Sequence, residues 1–198
     1  MYFAYGEREL EHLRAADARI AAVIDKLGVL RREMNPDFFA ALVESIIGQQ
    51  ISSKAAQTVR ARLHAASGMN AENIYALGIE DIRACGMSMR KASYIKNIAE
   101  AAVIGLVNFS ELHKWSDEKV IKTLTQLKGV GVWTAEMLLI FSLGRPDVLS
   151  YGDLAIRRGI MRLYNLEKLS KTEFLRITKP YSPYSSVASF YLWEVSAQ

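Results

Sequence analysis

Proline hardly interrupts this 198-residue chain: four prolines stand at 36, 146, 180 and 183, and between them apolar residues recur at three- and four-residue steps. A half-buried strand alternates with period two, whereas this spacing gathers apolar side chains on one stripe of a helix. The spacing therefore predicts an all-α fold. Residues 8–27 read as one helix carrying Leu13, Ala16, Ile20, Val23, Ile24 and Leu27, stopped by Gly28. Asn35 reads as the cap of a second, with Pro36 at its first position and an end near Gly48. Ser52 or Ser53, Asn70, Ser88 and Ser116 read as further caps, Ile79 opens a short helix, and residues 133–143, 153–164, 171–179 and 184–195 complete about ten.

Composition excludes several classes. With 51% hydrophobic and 23% charged residues the chain is too apolar for intrinsic disorder. The single cysteine, Cys85, excludes an intramolecular disulfide and a four-cysteine zinc or iron–sulfur site, and His12, His64 and His113 are scattered. The amino-terminal residues show no charged-then-apolar leader pattern, and no apolar run reaches the length of a membrane span. The expectation is a soluble protein of a reducing, cytoplasmic compartment, without membrane partners. A net charge of +4 is compatible with a polyanionic partner and does not require one.

One segment carries more information. Residues 123–139 run from a helix into Leu127-Lys128-Gly129-Val130-Gly131 and directly into a second helix. Two glycines around one apolar residue permit a left-handed turn and close approach by an outside backbone. The N–H groups opening the next helix favour an anion, and a nucleic-acid phosphate fits. A bare Gly-x-Gly serves equally well as a packing corner, so the motif alone leaves both readings open.

The full string is more specific. It resembles the helix-hairpin-helix of the HhH-GPD superfamily of DNA glycosylases, which pairs this hairpin with a catalytic aspartate downstream. Here Ser150-Tyr151-Gly152-Asp153-Leu154 places Asp153 22 residues beyond Gly131. Residues 39–56, including Gly48-Gln49-Gln50-Ile51, resemble the helix–loop–helix carrying the strand-inserting loop. Residues 183–193 resemble the closing helix of the alkylated-base branch, so the match, over about 30–196, is to a minimal 3-methyladenine DNA glycosylase II. Two departures are Gly152, where relatives often have a second acid, and Ser185, where they often have arginine.

The resemblance implies two helical subdomains with a cleft between them, residues 36–132 forming one and residues 1–35 with 133–198 the other. It implies a monomer acting on damaged double-stranded DNA in base excision repair, associated with the nucleoid or, in a eukaryote, nuclear. Cleavage of an N-glycosidic bond develops positive charge on the sugar, which one fixed carboxylate stabilises. Asp153 takes that role, although an aspartate before an apolar helix is otherwise an ordinary cap. Trp133 stands where strand-cutting relatives have a lysine, which implies a monofunctional enzyme without lyase activity. A positively charged alkylated purine suits aromatic faces, for which Trp133, Tyr151, Trp193 and Phe39 are candidates, with Tyr191 behind them; each also suits a core. Gln49, Gln50 and Ile51 are implied to fill the space of the extruded base. Lys54, Lys128, Gly129, Val130, Gly131 and Thr134 are implied DNA contacts, with Arg60, Arg157 and Arg158 as further phosphate candidates. No cofactor is implied beyond a Na+ or K+ held by the carbonyls of Thr125, Leu127 and Val130. Without the resemblance, a non-catalytic hairpin module remains open, as does another lesion such as hypoxanthine, an etheno adduct or an oxidised base.

Overall fold

The computed structural model describes all 198 residues. In chain order the α-helices are α1 (Glu7–Ala16), α2 (Ala18–Leu27), α3 (Phe38–Gly48), α4 (Ser53–Ser67), α5 (Ala71–Ala76), α6 (Ile79–Ala84), α7 (Met89–Val103), α8 (Asp117–Leu124), α9 (Val132–Phe141), α10 (Leu154–Tyr164), α11 (Lys171–Thr178) and α12 (Ser185–Ala197). Short 3-10 turns occupy Phe109–Lys114 and Lys179–Tyr181. The all-α expectation holds, the one departure being an isolated antiparallel bridge between Tyr2 and Glu33. No helix is long and apolar enough to cross a membrane. The backbone divides into two compact units, one of Met1–Met34 and Leu139–Gln198, the other of Asn35–Leu138. The boundary lies within α9, which buries Ala135, Leu138, Leu139 and Ile140.

The first unit is organised around α12, whose residues 185–192 are all buried. Serine and alanine on one side of this helix let neighbours approach closely. At Gly159 on α10 the approach reaches the backbone: an added Cβ would lie 2.2 Å from the carbonyl oxygen of Leu192. The amino-terminal segment packs on the same helix, with Phe3 edge-on to Phe190 at 5.1 Å and the Tyr191 hydroxyl donating to the Gly28 carbonyl at 2.9 Å.

The single helix expected over residues 8–27 is two. Asp17 is extended between them, and its Oδ1 accepts the Arg19 N–H at 2.9 Å, capping α2. Its Oδ2 accepts the hydroxyls of Tyr181, at 2.8 Å, and Tyr164. Burial raises the Tyr181 hydroxyl far above the ordinary tyrosine range, which keeps it a donor to this carboxylate. Long-range hydrogen bonds thus outweigh the local preference for one continuous helix.

In the second unit α3 buries Phe39, Ala40, Leu42, Val43, Ile46 and Ile47, and it packs on α4 and on α7. Helices α5 and α6 also lie against α7, which buries Ala92, Ile95, Ile98, Ala99 and Ala101. Ser52, Asn70, Ser88 and Ser116 each accept an N–H of the following first turn, as their sequence positions predict. Asn35 does not cap α3. It accepts the Asp37 N–H at 3.1 Å, and Asp37 caps the helix by accepting from Ala40 at 2.9 Å, so a turn around Pro36 shifts the start to Phe38.

The contact at Gly159 gives a direct test of the first unit. Gly159→Ala must push α10 off α12, because the opposing atom is main chain and cannot rotate away, and should cost about 1–3 kcal/mol. Urea unfolding measures this; a wild-type midpoint would show that the close approach contributes nothing.

Candidate functional site

The hairpin joins α8 to α9. Thr125 ends α8 with its hydroxyl donating to the Ile121 carbonyl at 2.7 Å, after which Leu127 N–H bonds Leu124 O at 3.0 Å and Val130 N–H bonds Leu127 O at 3.1 Å. Leu127 and Val130 are buried and anchor the turn, while Lys128 and Gly131 are exposed. Gly129 has φ +88°, and a Cβ there would fall 2.3 Å from Cδ2 of Tyr94, so both conformation and space demand glycine. At Gly131 an added Cβ would meet nothing within 4 Å, and its carbonyl accepts Ala135 N–H at 3.1 Å as α9 begins. The chain thus presents a helix start with open space before it, an arrangement that suits an approaching anion. Thr134, expected among the outward contacts, is buried, so its side chain belongs to the packing of α9.

The loop between α3 and α4 stands beside this turn in the same unit. Gln49 turns inward, its Nε2 donating to the Gly129 carbonyl at 3.1 Å. Gln50 adopts a left-handed φ of 57°, and Ile51 is 40% exposed. Gln50 and Ile51 are therefore presented outward, while Gln49 ties the loop to the hairpin. Lys54 is exposed on the first turn of α4, whereas Arg60 pairs with Glu44 at 3.2 Å.

In the other unit, Asp153 caps α10 and is only 7% exposed. Its Oδ1 accepts the N–H groups of Ala155 at 2.8 Å and Ile156 at 3.0 Å, which fixes the carboxylate at the positive end of the helix dipole. Its own N–H donates to the Ser150 carbonyl at 3.3 Å. Two residues earlier, Tyr151 is half-buried, edge-on to Phe174 at 5.1 Å, with the Arg157 guanidinium 5.3 Å from its ring centre. A preorganised carboxylate of this kind can stabilise developing positive charge or hold a water molecule without reorganising.

The aromatic candidates separate into distinct settings. Trp133, in the first turn of α9, is 45% exposed. Trp193 is half-buried and stacks on Phe141 at 5.6 Å and on Phe190 at 6.0 Å. Phe39 is buried and edge-on to Phe109 at 5.7 Å, which makes it part of the packing beneath α3. Tyr191 is fully buried, committed to the core and to Gly28.

Sequence reading missed two groups of residues. Lys91 and Tyr94 on α7 support the loop and the hairpin. Asp147 accepts from the Ser182 and Ser185 hydroxyls, both at 2.5 Å, and from Ser185 N–H at 3.3 Å, anchoring the start of α12. Ser185, noted as a departure, is thus a structural partner of Asp147. No group of three or more histidine, cysteine or acidic residues is arranged to hold a metal ion.

Comparison with known proteins identifies the family. The family model described as HhH-GPD superfamily base excision DNA repair protein matches residues 43–183. The DNA-3-methyladenine glycosylase 1 of Schizosaccharomyces pombe is 37% identical over 194 residues, covering 93% of this chain and 85% of that protein. The crystal structure of a Bacillus halodurans DNA-3-methyladenine glycosidase superposes with a TM-score of 0.90 at 37% identity, covering 100% of this chain and 93% of that one. The S. pombe 3-methyladenine DNA glycosylase in complex with abasic DNA gives a TM-score of 0.84 at 34% identity, over 96% of this chain and 97% of that one. A turn that demands glycine, a loop tied to it and a carboxylate held at a helix start accompany a match over most of the sequence, and the chain belongs to the HhH-GPD superfamily of base excision DNA repair proteins.

Proposed function

We propose that the protein is a monofunctional DNA glycosylase that releases alkylated purines, of the 3-methyladenine and 7-methylguanine type, from duplex DNA as an early step of base excision repair. The observation that carries this reading is Asp153, a carboxylate held by two first-turn amides in a chain 37% identical to a DNA-3-methyladenine glycosylase over nearly its whole length. A purine alkylated on its ring carries positive charge. When the C1′–N bond breaks, its electron pair leaves on the base, which departs neutral without a general acid. Asp153 stabilises the oxocarbenium-like sugar left behind and accepts a proton from the water that bonds to C1′, so only water is consumed and an abasic site remains.

Two further features support the details. Trp133 has no amine with which to attack the sugar, so the resolving step is hydrolysis rather than Schiff-base formation. The exposed ring of Trp133 and the half-buried rings of Tyr151 and Trp193 are the surfaces on which a cationic base can stack, each such contact contributing roughly 0.5–2 kcal/mol. The hairpin, the loop with Gln50 and Ile51, and Asp153 all come from one chain, which supports action as a monomer.

We propose that the hairpin carbonyls of Thr125, Leu127 and Val130 hold a monovalent cation; Leu127 O accepts Val130 N–H at 3.1 Å and keeps a second lone pair with which to do so. A Na+ or K+ held there would add positive charge facing a phosphate.

Asp153→Asn preserves a good helix cap while removing the negative charge. It should lower the single-turnover release of 7-methylguanine by roughly 100- to 1,000-fold, with little change in melting temperature or in affinity for a duplex carrying an abasic-site analogue. Asp153→Ala should lose the activity and also about 0.5–2 kcal/mol of stability. Near-native excision by Asp153→Asn would exclude the mechanism. Borohydride reduction during turnover should trap no covalent protein–DNA adduct, and a trapped adduct would refute the absence of lyase chemistry.

A further inference from the structure

Residues 49–51 follow the end of α3 and line part of a hollow. A cavity of about 500 Å³ lies elsewhere, among Arg19, Lys26 and Arg162, but those cations are largely engaged: Arg19 lies over Tyr164, and Arg162 donates to the carbonyls of Val195 and Ser196. The smaller hollow behind the loop, about 260 Å³, is more telling. Ile47, Gln49, Gln50 and Ile51 form one side of it, and Ser88 and Lys91 lie on the other. A loop beside a hollow has fewer packing contacts on that side, and polar ties help to hold its position.

Two such ties exist, both leading to the same helix. Lys91 Nζ donates to the Ile47 carbonyl at 2.7 Å and to the Gln49 carbonyl at 2.5 Å, satisfying acceptors that the end of α3 leaves without intrahelical partners. Gln49 in turn donates through Nε2 to Gly129 of the hairpin. One turn along α7, at the i+3 position, Tyr94 sets its ring against Gly129 so closely that no Cβ fits. Lys91 and Tyr94 therefore lie on one face of α7, one bracing the loop and the other the hairpin. Burial lowers the Lys91 pKa, and the neighbouring Arg90 charge adds to the effect, so the ammonium is retained against a desolvation cost.

We propose that Lys91 is a positioning residue for strand insertion, its ammonium clamping the Ile47 and Gln49 carbonyls so that residues 48–51 and the hairpin meet DNA as one rigid element. The proposal rests on the DNA glycosylase reading. Lys91 touches neither the base nor the sugar; it acts by holding Gln50 and Ile51 where they can enter the space of an extruded nucleotide.

The test uses the full chain and a duplex with a tetrahydrofuran abasic analogue beside a 2-aminopurine, whose fluorescence rises when insertion unstacks it. Lys91→Met should lose most of the wild-type fluorescence rise and slow single-turnover release of 7-methylguanine roughly 10- to 100-fold, with unchanged affinity for undamaged duplex. Lys91→Arg, which keeps a cation able to reach two carbonyls, should restore both readouts. Gln49→Ala, which cuts the link to Gly129 while leaving Lys91 in place, should lower the fluorescence in the same direction. A wild-type fluorescence rise in Lys91→Met would overturn the proposal. Equal loss of affinity for damaged and undamaged duplex would also overturn it, since Lys91 would then be a phosphate contact. So would a fall in melting temperature not rescued by arginine, since the role would then be structural. Wild-type insertion without release of any alkylated base would refute the glycosylase reading alone.

Discussion

Helix α10 reaches α12 through a missing side chain. At Gly159 the backbones come within a distance that even a methyl group would violate, the opposing atom being the Leu192 carbonyl oxygen. That contact fixes the height and rotation of α10, and with them the position of its first turn. Asp153 sits on that turn with Oδ1 locked by two amides, so the carboxylate inherits its placement from a backbone contact nearly two turns away. Asp147, held by Ser182 and Ser185, anchors the start of α12 in the same unit. On the proposed mechanism the carboxylate must already stand in place when charge develops, and backbone packing with two amide bonds supplies that placement.

The second unit solves a different problem. Its functional segments are turns, which have few apolar contacts of their own. Gly129 is pinned by its dihedral angle and by Tyr94; the α3–α4 loop is pinned by Lys91 and by Gln49. Both depend on α7, whose buried alanines and isoleucines tie it to α3, α5 and α6. The stiffness of the exposed turns is thus borrowed from a helix packed against three others in that unit.

Much of this was legible in the sequence, and what was not has a common cause. Caps at Ser52, Asn70, Ser88 and Ser116 read correctly because each bond joins residues three apart, and the turn at Gly129 and the helix cap at Asp153 are legible because each lies within a short stretch of sequence. Asp17 was misread because its partners, Tyr164 and Tyr181, lie more than 140 residues away, beyond the reach of periodicity. Asn35 was misread by a local competition, since the Asx turn it forms with Asp37 leaves Asp37 as the cap. Phe39 could not be assigned from spacing, because an aromatic on an apolar helix face suits a core and a ligand surface alike. Lys91 left no trace because its partners are carbonyl oxygens, which every residue possesses.

The two helix starts that matter use one physical device in opposite senses. The first-turn amides of α10 are satisfied from within, the Asp153 carboxylate accepting from Ala155 and Ile156 at the positive end of the helix dipole. At α9 the residue in the corresponding position is Gly131, which has no side chain with which to cap, and open space lies where a Cβ would point. That open start leaves room for an anion from outside to approach the positive end of the helix. This explains why a net charge of only +4 is sufficient for a DNA-directed fold. Several of its cations are already committed, Arg60 to Glu44 and Lys91 to the loop carbonyls, and a phosphate can instead be met by main-chain dipoles that are fixed before it arrives and lose no side-chain entropy in binding.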